Sequence, residues 1–124
     1  MNTAAVESDA EVYVASVLIL YLQLPETPLC ASVQDRWQAR RLQDRGVSLQ
    51  LVESALLLGS LRRLTRPADL LPLPPIRSLA YFQPVIDELL ENPQPDNYRE
   101  YLRLKMQRIA SEKAVPAGVQ KKTI

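Results

Sequence analysis

No histidine occurs among the 124 residues, and cysteine, phenylalanine and tryptophan occur once each. The missing histidine removes the commonest general base, the commonest metal ligand and every Ser–His or Cys–His nucleophile pair. A lone cysteine, Cys30, excludes an intramolecular disulfide and a thiolate metal cluster. Set between Leu29 and Ala31, it reads as a small buried apolar residue. Glycine is scarce as well, at three residues, and neither a phosphate-cradling glycine loop nor a nucleophile elbow is present. These gaps point away from catalysis and from any cofactor or metal. With so little glycine and so much leucine, helices are favoured over a sandwich or barrel.

Long apolar runs are nearly absent too. The one candidate, Val12 to Leu24, is interrupted by Ser16 and Gln23 and is too short to cross a bilayer. Glu7, Asp9 and Glu11 precede it, where a secretory signal needs positive charge. The expectation is a cytoplasmic protein with no membrane partner.

What is present suits one globular domain: 47% hydrophobic and 23% charged residues. Ser8 and Glu11 have capping-box spacing, which predicts a first helix over about 9–23. Its apolar residues surround the circumference, so it is expected to be the most buried helix, with a strand as the alternative. Pro25 and Pro28 break the chain. Ser32 then caps a second helix, with Asp35 near its positive end, and Gly46 closes it in a left-handed conformation. Ser48 caps a third helix, over about 49–64, in which Leu49, Val52, Leu56, Leu57 and Leu58 face inward and Gln50, Glu53 and Arg63 outward.

Pro67, Pro72, Pro74 and Pro75 forbid regular helix over the next stretch, whose leucines suggest that it packs across the surface. Pro84 predicts a short helical turn followed by a new helix, or a kink. Asp96 caps a last helix over about 97–113, with Tyr98, Tyr101, Leu102, Met106 and Ile109 on its apolar side. The fold expected is all-α: a compact single-domain bundle of about five helices over 1–113, a Pro-rich connection between helices 3 and 4, and a disordered tail over 114–124.

The net charge of +1 conceals an alternation. Residues 1–32 hold four acids and no base, 33–66 seven arginines against three acids, 67–96 one arginine against five acids, and 97–124 seven bases against two acids. Arg36 and Arg40 lie one helical turn apart, as do Arg99 and Arg103, and Arg62 and Arg63 end the third helix. These six form a candidate nucleic-acid-binding face, since guanidinium forks suit phosphates. The competing reading pairs them with Asp87, Glu88, Glu91 or the N-terminal acids. Asp87 and Glu91 could share a divalent ion, though a solvated acidic face is the commoner outcome. Trp37, Tyr81 and Phe82 are candidate partner-binding residues, with burial in the core as the alternative for each.

Residues 38–57 have the spacing of a helix-turn-helix around Gly46, with Ser48, Gln50, Glu53 and Ser54 at the groove-facing positions. The second helix lacks a basic residue before Arg62, and its apolar load suits a core hairpin. Over residues 32–91, Gly46, Val47, Leu49, Val52, Ala55, Arg77, Ser78, Tyr81, Phe82, Pro84 and Ile86 resemble helical accessory modules of bacterial plasmid, phage and transposon replication proteins, of the DnaD type. That resemblance implies an all-helical accessory module that touches DNA weakly, or a partner replication or mobile-element protein. Two functional expectations follow. One is a non-catalytic accessory protein of a bacterial DNA-related process, with low-specificity DNA binding through the arginines. The other is a protein–protein interaction module, homodimeric in one form, that uses the apolar third helix and the Pro-rich segment and binds no nucleic acid.

Overall fold

The structure is a computed structural model that describes the backbone of residues 3–123 and the side chains of residues 9–112. It contains α1 (Thr3–Leu22), α2 (Val33–Asp44), α3 (Leu49–Leu64), a single 3-10 turn (Leu79–Phe82), α4 (Gln83–Glu91) and α5 (Tyr98–Thr123). No strand occurs among the described residues, and the all-α bundle of five helices is as expected. α5 runs to Thr123, past the end expected near residue 113, while the side chains of the expected tail over 114–124 lie outside the described residues.

Helix boundaries follow local chemistry. At α2 the Ser32 hydroxyl accepts from the Asp35 N–H (3.0 Å), and the Asp35 carboxylate accepts from the Ser32 N–H (3.0 Å). This reciprocal box satisfies two amides that the first turn would otherwise orphan. The other Asp35 oxygen accepts from the Leu79 N–H at 2.9 Å, so one buried carboxylate both starts α2 and anchors the 3-10 turn. At the far end Gly46 (φ +76°) closes a Schellman motif: Val47 N–H donates to Leu42 O and Gly46 N–H to Gln43 O. Val47 and Leu42 are both buried, so the turn also seats two core residues. Ser48 caps α3 by accepting from the Leu51 N–H, and Pro84 lies in the first turn of α4, where its missing N–H costs nothing.

α1 differs from expectation. It begins at Thr3, so Ser8 falls inside the helix instead of capping it. Nor is it the most buried helix: Val14, Val17, Leu18 and Tyr21 enter the core, while Val12 and Ile19 stay exposed. The central helix is α3, which packs against α1, α4 and α5 and buries eight residues from Val52 to Leu61, so the apolar face expected to meet a partner is spent on the core. Glu53 and Ser54, expected on its outer face, are buried, because α5 covers that side.

Around α3 the core gathers Tyr21, Leu42, Leu79, Phe82, Ile86 and Leu89. Phe82 meets Tyr21 and Tyr81 edge to face, at centroid distances of 6.1 and 5.2 Å. Each such ring contributes roughly 2–3 kcal/mol by burial, plus about 1 kcal/mol for its aromatic contacts. Gly59 lets α3 approach this cluster closely, since a Cβ there would lie 2.7 Å from Phe82 Cδ1.

The Pro-rich connection is strapped to the α1–α2 loop. Ile76 is buried and donates its N–H to Glu26 O at 2.9 Å. Glu26 holds a left-handed φ of 66°, a conformation that costs a non-glycine residue about 1 kcal/mol. Arg63 reaches the same place: it donates to Pro74 O (2.8 Å) and the Tyr81 hydroxyl (3.2 Å) and forms an ion pair with Glu26. Its side chain is only 7% exposed, although the sequence pattern places it outside.

Candidate interaction surface

Four of the six candidate arginines are held by acids of this same chain. Arg62 donates two parallel bonds to Glu88 on α4, at 2.9 and 2.7 Å, and this pairing holds the Glu88 carboxyl below its usual range against the opposing effect of burial. Arg63 turns the other way, to Glu26 and over the Tyr81 ring, with its guanidinium carbon 5.2 Å from the centroid. Arg103 grips Glu53 with two bonds of 2.9 Å, and Arg99 approaches the same carboxylate at 3.7 Å. Arg99 and Arg103 are thus brought together, but on an acid. The neighbours Arg62 and Arg63 are drawn to different elements. Glu53 is enclosed by this pairing and does not project into an open groove.

Arg36 and Arg40 behave differently. Both are exposed on α2, Arg40 lies 3.9 Å from Asp44, and Arg36 has no ion-pair partner among the described residues. Trp37 between them is 62% exposed, so it is a surface residue and not a core anchor. Tyr81 is half exposed and engaged by Arg63, whereas Phe82 is fully buried and unavailable to a partner without opening the core. Cys30, expected to be buried, is exposed beside the fully exposed Leu29 in the α1–α2 loop.

The pattern around Trp37 is not random. α2 returns antiparallel along α1: Tyr13 near the start of α1 donates to Val47 O beyond the end of α2 (2.7 Å), while Tyr21 near the end of α1 lies close to Asp35 at the start of α2. Between the two helices runs a groove of about 480 Å³ lined by Glu11, Val14, Ala15, Arg36, Trp37 and Arg40. Val12, Ala15 and Ile19 form one stripe on α1 at three- and four-residue spacing, and Val33 and Trp37 form another on α2. All five are solvent-facing or partly so, and Val12, Ile19, Val33 and Trp37 are each more than half exposed. Sequence reasoning missed Val12, Ile19 and Val33. The available signal was that α1 is apolar on all sides; a helix with one core-facing side then leaves apolar residues uncovered.

Among the described residues, no group of three His, Cys, Asp or Glu side chains could hold a metal ion, and no helix is long and apolar enough to cross a membrane. The Asp87 carboxylate accepts from the Gln83 amide and Glu88 is taken by Arg62, so two of the three acids of α4 are engaged in local contacts. No protein-family model, curated protein or solved structure matches the chain.

Proposed function

We propose that the chain is a cytoplasmic protein-interaction module whose contact face is the outer side of the α1–α2 pair, centred on Trp37. The observation that carries this reading is the exposure of the sole tryptophan, at 62%, in a groove lined by Val14, Ala15, Arg36 and Arg40 and one helical turn from the exposed Val33. A half-exposed tryptophan ringed by aliphatic and arginine side chains is the composition of an interface hot spot. The internal pairing of Arg62, Arg63, Arg99 and Arg103 favours this reading over nucleic-acid binding, because a phosphate would have to displace a carboxylate already in place.

One observation supports the second reading, an accessory role in a bacterial DNA-related process. Arg36 and Arg41 on α2, and Arg45 just beyond its end, are exposed with no ion-pair partner among the described residues. Two measurements decide between them. In dilute protein, Trp37 fluorescence is expected to be quenched by acrylamide nearly as strongly as free tryptophan. A shielded Trp37 in the monomer would sink the interaction-face reading. A gel-shift series with duplex DNA is expected to show no retention at about 0.1 M salt; retention lost on Arg36→Ala with Arg41→Ala would favour the DNA reading.

A further inference from the structure

We propose that the partner on this face is a second copy of the same chain, related by a two-fold axis parallel to α1 and α2, so that the two hairpins close a four-helix bundle. The inference rests on the interaction-face reading above and names its occupant. It begins with charge. The face carries both signs at the same end: Glu11 on α1 and Arg36 and Arg40 on α2 line one groove. Glu11 and Arg36 have no ion-pair partner among the described residues, and Arg40 has only the 3.9 Å approach of Asp44. A purely acidic partner would meet repulsion at Glu11 and Asp9, and a purely basic one at the arginines. A surface bearing both signs complements itself.

Symmetry then selects the arrangement. A two-fold axis crossing the helices would lay α2 on α2, setting Arg36 and Arg40 against the same arginines of the second copy. An axis parallel to the helices lays α1 on the second copy's α2 and preserves the level of every residue. Glu11 then faces Arg40 of the second copy, and the small Ala15 receives its Trp37. One turn further on, Ile19 meets its Val33. Each helix also has antiparallel neighbours only, as in an up-down bundle.

The exposed apolar area is of the right size. At roughly 150–250 Å² for a tryptophan and roughly 150 Å² for an aliphatic side chain, the exposed fractions of Val12, Ile19, Val33 and Trp37 leave about 400 Å² uncovered. An interface of about 800 Å² per partner that is about 56–65% apolar needs little more than that.

The test combines sedimentation equilibrium with Trp37 emission, with a reductant present so that exposed Cys30 cannot cross-link two copies. The wild-type chain is expected to sediment at twice the monomer mass in the micromolar range, with emission shifting to shorter wavelength as concentration rises. Glu11→Arg and Arg40→Glu are each expected to weaken association at least tenfold. An equimolar mixture of the two variants is expected to recover wild-type association, because in a mixed dimer both cross-copy pairs are opposite in sign. Within either variant chain residues 11 and 40 keep like charges, so recovery cannot come from an internal pair. Should either charge variant lose its helical circular dichroism, Trp37→Ala serves as the second disruption, with the same tenfold loss expected. A wild-type chain that stays monomeric with quenchable Trp37 overturns the second copy while leaving the interaction face standing. Dimerisation without recovery on mixing overturns the proposed axis.

Discussion

Replacing Glu53 by Gln removes the charge that holds two arginines of α5 against α3, while keeping size and one acceptor. Glu53 receives two 2.9 Å bonds from Arg103 and a 3.7 Å approach from Arg99, and it is 9% exposed. Charge-assisted hydrogen bonds contribute roughly 1.5–3 kcal/mol each, but the Arg103 side chain is 43% exposed and solvent screens its share. A total loss of about 2 kcal/mol is expected, which for a chain of this length lowers Tm by about 8 °C. The assay is a double-mutant cycle in urea with Arg103→Met, which keeps the aliphatic stem. A coupling energy of about 1 kcal/mol is expected, with hydrogen exchange accelerated in α5 and unchanged in α2. Coupling below about 0.3 kcal/mol, the noise of such a cycle, would refute the idea that this carboxylate clasps α5 to the bundle.

Gly59→Ala gains helix propensity of roughly 1 kcal/mol yet sets a methyl against the Phe82 ring. A net loss of about 1 kcal/mol in urea unfolding is expected, and the same change made in a Phe82→Leu background is expected to gain stability instead. Tyr21 is pushed up to about 12 from an ordinary 10.0, first by burial and then by the charge of Asp35. The folded state therefore favours the neutral phenol, and that contribution is intact below pH 10 and lost as pH rises from 10 towards 12. Tyr21→Phe is expected to flatten the alkaline fall in stability by about 2–3 kcal/mol. At neutral pH it is expected to cost nothing, because the buried hydroxyl has no hydrogen-bond partner among the described residues; a pH series of urea midpoints checks both points. Asp35→Ala strands the Ser32 and Leu79 amides together and is expected to lower stability by about 3 kcal/mol in thermal unfolding, with Asp35→Asn costing less.

Those elements whose ends are governed by local chemistry were legible in the sequence. Ser32 with Asp35, Gly46, Ser48 and Pro84 each mark a boundary that the chain obeys, since caps and proline act within one turn. The start of α1 was misplaced, because capping-box spacing at Ser8 and Glu11 cannot stop a helix whose preceding residues also favour one. Glu53 and Arg63 were placed outside by hydrophobic periodicity, which does not register that a charged side chain can be buried against a partner fifty residues away, as Glu53 is against Arg103. The reverse error befell Cys30 and the aliphatic stripe of α1: apolar character predicts burial only where another element arrives to cover it. Whether six arginines gather on one face depends on helix azimuths, which no charge count contains.

The Arg63 clamp bears on how long the fold lasts once formed. Glu26, Pro74 and Tyr81 come from three stretches of chain, and the guanidinium meets them together only when the strap has been laid across the finished helices. Contacts of this kind are absent from a transition state built on helix pairing, so their free energy sits on the unfolding limb of the chevron. Arg63 is accordingly a candidate latch on lifetime: in a stopped-flow chevron, Arg63→Met is expected to raise the unfolding rate and leave the refolding rate almost untouched.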